Sequence, residues 1–103
     1  RQREAWITIQ RSPALANNLP VLTANRVGFE ADPSGQTEGS LFWGSSMLVG
    51  CTGEVLAQTD DLSATELVAT LDLDQTEQVR RWWPYFRDRR IDAYHDLTKR
   101  FRD

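Results

Sequence analysis

Apolar residues recur at three-to-four spacing near the start of the chain. In residues 3–18, REAWITIQRSPALANN, Ala5, Trp6, Ile9, Ala14 and Ala16 predict a helix. Pro13 is discordant, because it removes a backbone donor from a helix interior and predicts a kink or break there. Asn17-Asn18 ahead of Leu19-Pro20 ends the element. The pattern then shortens to strand-like runs. Residues 20–30 carry Val21, Leu22, Thr23 and Val27, types that suit a pleated surface, and predict a first strand. Asp32-Pro33-Ser34-Gly35 is a turn signature. Residues 41–50, LFWGSSMLVG, predict a second strand with apolar residues on both faces. CTGE is the next turn, with Gly53 free to supply a positive φ. Residues 54–60 and 66–73 predict a third and a fourth strand, separated by a polar loop from Asp60 to Ala64. From Asp74 the period returns to a helical one, with a polar, acidic first turn. Pro84 ends or bends that helix, and Ile91, Tyr94, Leu97 and Phe101 predict a short final helix or ordered tail.

The order helix, four strands, helix, tail indicates an α+β fold whose strands are mostly antiparallel neighbours. The 103 residues suffice for one small domain. The chain opens at Arg1 without an initiator methionine, which allows it to be part of something longer. No apolar run approaches the ~18–20 residues that span a bilayer, so no membrane partner is expected. A lone cysteine offers no internal disulfide, and with no signal peptide visible the expected location is the cytoplasm.

The net charge of −3 conceals an asymmetry. Residues 80–103 hold eight basic residues against four aspartates, whereas residues 1–79 hold four basic and eleven acidic ones. A basic tail is a feature of nucleic-acid binding. Here the arginines alternate with aspartates and no RNA-binding motif accompanies them, so pairing with an acidic surface is expected instead. Trp82-Trp83 are adjacent on a helix and cannot both face one core, which makes one of them an interface candidate. Arg87, Arg89, Arg90 and Tyr94 offer planar donors and an aromatic anchor of the kind enriched at interfaces.

Cys51 is the obvious candidate nucleophile, but nothing near it in sequence lowers a thiol pKa. His95, the one histidine, lies in the tail between Tyr94 and Asp96. One Cys and one His fall short of a metal site, and no cofactor-binding motif is present. Cys51 therefore reads as a small turn residue, and no catalytic residue is assigned.

Several motifs occur in a telling order: Ala16-Asn17 closing a helix, Asn25-Arg26-Val27-Gly28 on a strand, and Phe42-x-Gly44-x-Ser46. Gly53-Glu54-x-Leu56 follows in a turn, and Arg87-Asp88-Arg89-Arg90-x-x-x-Tyr94 near the end. Together they resemble the C-terminal portion of the nitrilase superfamily of carbon–nitrogen hydrolases, across essentially the whole chain. The resemblance implies half of a four-layer αββα sandwich, 1–103 being one segment of a larger hydrolase domain. It implies hydrolysis of a linear amide or carbamoyl C–N bond, N-carbamoylputrescine going to putrescine, carbon dioxide and ammonia in polyamine synthesis. The family's glutamate, lysine and cysteine would lie in a missing N-terminal part, so the isolated chain is expected to be inactive. It further implies a homodimer whose C-terminal tail extends over the partner. Glu38 and Trp43, by the loop near the family's substrate entrance, become substrate-binding candidates, Glu38 as an attractor of a cationic substrate. Asn25-Arg26 read as a strand-end hydrogen-bond network. Relatives commonly have Gly-His where this chain has Ser12-Pro13. The alternative is a non-catalytic folding or dimerisation module.

Overall fold

The structure is a computed structural model that describes residues 2–60 and 62–102. Arg1, Asp61 of the polar loop and Asp103, one of the four tail aspartates, lie outside the described residues. Helix α1 spans Gln2–Asn17 and helix α2 Leu73–Trp82, with five strands between them: β1 Val21–Thr23, β2 Val27–Ala31, β3 Gly39–Trp43, β4 Met47–Val49 and β5 Val55–Gln58. The strands form a three-stranded sheet, β1-β4-β5, and a two-stranded ribbon, β2-β3, antiparallel throughout. The molecule is thus α+β.

Helix α1 runs unbroken through Pro13, against the kink expected from the sequence. The proline leaves the carbonyl of Ile9 without its helical donor, but Ile9 is exposed, so water can replace that bond. Packing on both sides of the proline keeps the axis. Ala14 is fully buried against Met47 and Val49, and Trp6 and Ile7 pack on the same cluster. The helix ends as Asn17-Asn18 suggested. Asn18 takes a left-handed φ of 48°, its N–H donates to Leu15 and the Leu19 N–H to Ala14. These are the two bonds of a Schellman end.

The two long strands expected at 20–30 and 41–50 are each divided. Val21 to Thr23 pair with Val49 to Met47, and Val27 to Ala31 with Trp43 to Gly39. One register runs through both halves, so they are two arms of a single long hairpin with an interruption at 24–26 and 44–46. At the far tip only glycine fits position 39. Its φ is +131°, and a Cβ there would overlap the carbonyl oxygen of Glu30 and the ring of Phe29.

The β4–β5 turn closes with Gly53 N–H donating to Gly50 C=O at 2.9 Å, and Gly53 has the positive φ of 80° expected of it. A register shift between β4 and β5 leaves Leu56 as the extra residue of a bulge. The simple alternation of Val55 and Leu56 is lost, and both are partly exposed. The fourth strand expected at 66–73 is not formed. Residues 66–72 join no sheet and Leu73 opens a helix, and Thr65 and Leu67 line a hollow with Leu22, Met47 and Leu48 instead of joining a sheet edge. Helix α2 begins at Leu73, where the Asp72 carboxylate accepts from the N–H groups of Asp74 and Gln75. It ends before Pro84, and the tail forms two 3-10 turns at Ile91–Ala93 and His95–Thr98.

The molecule is flat, with extents of 53 × 46 × 18 Å. The short dimension matches one helix layer on one sheet, about 20 Å. Its radius of gyration is 18.5 Å, against roughly 13 Å for a compact chain of this length. α1 covers one sheet face, where the Thr23 hydroxyl donates to the Gln10 side chain. On the opposite face Leu22 is 69% exposed. In the ribbon Phe29 and Leu41 sit directly opposite each other, 60% and 72% exposed.

Candidate functional site

The interruption of the long hairpin is where the sequence motifs converge. Gly44 and Ser45 both adopt left-handed φ values, 52° and 58°, which bends β3 away from β4. Ladder bonds across this bend are replaced by side chains. The Asn25 side-chain amide donates to Gly44 C=O at 2.8 Å, and its backbone N–H donates to Ser46 Oγ at 2.9 Å. One ladder bond survives, from Gly44 N–H to Arg26 C=O at 2.8 Å. Asn25 and Ser46 thus belong to one device: short polar side chains that satisfy backbone groups freed by the bend.

The other side of the bend is closed by the end of β5. Thr59 N–H donates to Ser46 C=O and Ser45 N–H to Asp60 C=O. The Asp60 carboxylate accepts from the N–H groups of Ser63 and Leu62 and from the Ser63 hydroxyl, which hold its pKa below the usual carboxylate range. A shallow hollow of about 300 Å³ opens here, lined by Asn25, Arg26, Ser46, Thr59, Ser63 and Thr65 among others. Hydroxyls and an amide in such a wall can orient a polar ligand by hydrogen bonds; they offer no nucleophile–base pair.

Arg26 points along the ribbon, its guanidinium 4.4 Å from the Phe42 ring centre and paired with Glu30. Trp43 is half-buried at the inner end of β3, and its indole nitrogen is buried without a hydrogen-bond partner. Glu38 is exposed just before the outer end of the same strand. Five residues of extended chain separate them by roughly 16 Å, so the structure does not bring the two candidates together.

Cys51 lies in the β4–β5 turn, 3% exposed. His95 is exposed in the tail beside Asp96, and no hydrogen bond joins the two among the described residues. No group of three or more metal-ligating side chains occurs among the described residues, and no described helix is long and apolar enough to cross a membrane.

The interface candidates are all exposed. Trp83 stacks on Tyr85 at 6.3 Å between ring centres, and Trp82 is largely exposed. Arg87 pairs with Asp88, Arg90 with Asp92, and Arg89 donates to Phe86 C=O. The Tyr94 hydroxyl accepts from the Arg90 N–H at 3.3 Å. These three arginines therefore find acceptors within the tail itself, and not on the acidic surface expected from the sequence.

Sequence reasoning missed Ser45 and Arg3. Arg3 Nε donates to the buried Ser45 hydroxyl at 2.9 Å across 42 positions. The only sequence signal was the glycine and serine flanking Ser45.

The family model for carbon-nitrogen hydrolases matches residues 2–81. The N-carbamoylputrescine amidase of Arabidopsis thaliana is 39% identical over 96 residues, which are 92% of this chain and 32% of that protein. The citrullinase of Francisella tularensis is 32% identical over 99 residues, 96% of this chain and 34% of that protein. The crystal structure of a carbon-nitrogen hydrolase from Helicobacter pylori G27 superposes with a TM-score of 0.92 at 54% identity, covering 99% of this chain and 35% of that one. The chain spans about a third of the length of the curated relatives it matches. With the match running from the start of α1 into α2, the chain belongs to the carbon-nitrogen hydrolase family, within the nitrilase superfamily.

Proposed function

We propose that the chain is the C-terminal segment of a hydrolase that cleaves a carbamoyl C–N bond, with N-carbamoylputrescine as substrate and putrescine, carbon dioxide and ammonia as products, in polyamine synthesis. The observation that carries this is similarity to N-carbamoylputrescine amidases over 92% of the chain. The citrullinase adds a second relative named for a substrate with a ureido group on a linear amine-bearing chain. The reacting glutamate, lysine and cysteine belong to the part of the protein preceding this segment. Cys51, buried in a turn, is not among them.

In this reading the exposed sheet face at Leu22 meets a second sheet, completing a four-layer αββα sandwich, and residues 1–103 are one segment of that larger domain. The flat, 18 Å deep shape supports it, since apolar faces of this kind are ordinarily covered. Trp43 stands near the substrate, and Glu38 attracts the substrate's ammonium from a distance rather than by contact. The tail, with Trp82, Trp83, Arg87, Arg89, Arg90 and Tyr94, packs on a second copy in a homodimer. A cytoplasmic setting keeps the free Cys51 thiol reduced.

The test is ammonia release from N-carbamoylputrescine and from citrulline, by the whole protein that carries this chain. Turnover of the first with weaker turnover of the second is expected. Turnover of neither defeats the proposal. The alternative, a non-catalytic folding or dimerisation module, is favoured by the exposed Phe29–Leu41 pair, and predicts association without turnover.

A further inference from the structure

Among the described residues, Asn18 and Ser45 are the non-glycine residues with positive φ. Asn18 ends a helix, where that conformation is ordinary. Ser45 ends nothing: it sits inside a long hairpin, between β3 and β4, next to a glycine that has already turned left-handed. A serine is strained there and glycine would not be. Such a residue persists only where its surroundings over-determine it. The surroundings are on hand. Ser45 is fully buried, its N–H is taken by Asp60 C=O, and its hydroxyl donates to Trp43 C=O at 3.0 Å while accepting from Arg3 Nε at 2.9 Å. What serine adds over glycine is that hydroxyl, and the hydroxyl links the first turn of α1 to the carbonyl of Trp43.

The Trp43 side chain has no polar anchor of its own, since its indole nitrogen is buried without a partner. On one side its backbone is paired with Val27 of β2; on the bend side its carbonyl accepts from the Ser45 hydroxyl, which ties the placement of the residue to Ser45. We infer that Arg3 and Ser45 are positioning residues: a latch that fixes the bend, the β2–β3 ribbon leaving it and the Trp43 ring. That Trp43 stands near the substrate rests on the function proposed above; the latch itself does not.

The test uses the whole protein that carries this chain, labelled with 5-fluorotryptophan, in the variants Arg3→Met, Arg3→Lys and Ser45→Gly. Trp82 and Trp83 serve as internal controls, and Trp43→Phe assigns the resonance. Ser45→Gly removes the hydroxyl while relieving the left-handed strain, so it reports on the latch even where Arg3→Met folds poorly. In both Arg3→Met and Ser45→Gly the Trp43 fluorine resonance is expected to move and the Gly44 amide to exchange about tenfold faster, the size expected for losing a charge-assisted bond. The Trp82 and Trp83 resonances stay in place, and Arg3→Lys recovers part of the change. Unchanged Trp43 and Gly44 signals in both variants overturn the latch. A moved Trp43 signal with an unchanged KM for N-carbamoylputrescine upholds the latch and instead removes Trp43 from the substrate's neighbourhood.

Discussion

The Arg11 guanidinium of α1 donates to Gly53 C=O at 2.8 Å. A helix side chain thereby clasps the turn between β4 and β5, which lies 42 positions further on. Arg11→Met keeps the apolar stem and removes the donor. A loss of about 1 kcal/mol is expected, read as a lower denaturation midpoint, with faster amide exchange confined to residues 50–54. Uniform exchange changes across the sheet would show that the clasp is not local.

Asn18 distinguishes two costs. Its left-handed φ suits Asn or Gly, but its side-chain amide nitrogen is buried without a partner. Asn18→Gly retains the conformation and removes the unpaired donor, so stability should hold or rise. Asn18→Ala also removes the donor but keeps a Cβ in the left-handed region without asparagine's tolerance of it, at about 1 kcal/mol. Thermal melts of the pair check the order Gly above Ala.

The tip of the long hairpin should respond to acid. The Asp32 carboxylate accepts from the hydroxyl and N–H of Ser34, then from those of Thr37, and its pKa falls to about 2. A pKa lowered in the folded state means the tip's stabilisation is complete above the ordinary carboxylate value, near ~3.9, and is lost as pH falls through the folded value. The Ser34 and Thr37 amide resonances should hold steady above about pH 4 and move between there and about 2. Asp32→Asn should abolish that transition.

Cys51 should behave as a buried residue and not as a reagent. At 3% exposure, its thiol is expected to react with a disulfide probe only as fast as the β4–β5 turn opens. The 103-residue chain should release no ammonia from N-carbamoylputrescine, with or without Cys51→Ala. Turnover abolished by Cys51→Ser would make this thiol a nucleophile after all.

Truncation after Pro84 removes Arg87, Arg89, Arg90 and Tyr94 together. If these form an interface, sedimentation should show a shift toward monomer or a loss of solubility. An unchanged assembly would leave the tail a solvated appendage.

Much of the fold was legible because burial follows local periodicity. The three-to-four spacing of α1, the Asn17-Asn18 end, the Gly53 turn and the stop before Pro84 all rest on residues close in sequence. The bend at 24–26 and 44–46 was not legible, since it depends on Asn25 meeting Ser46 from 21 positions away. Residues 66–73 alternate like a strand, but alternation reports an extended backbone and not a partner for it. Pro13 was misread because helix propensity cannot see the packing of Ala14. At the site, Trp43 and Glu38 stand out through the family resemblance, which places both by one loop, yet nothing local tells that the length of β3 separates them.

The single register shared by both arms of the long hairpin restricts how this gene segment can change length. One residue lost from 24–26 alone would turn either β1 or β2 over, exchanging its inward and outward side chains. Only a matched loss at 44–46 would restore the pairing. The Asp32–Glu38 tip carries no such obligation, because nothing beyond it has to stay in phase. Insertions and deletions among descendants of this sequence should therefore gather at the tip, and the bend should keep its residue count even where its residues are replaced.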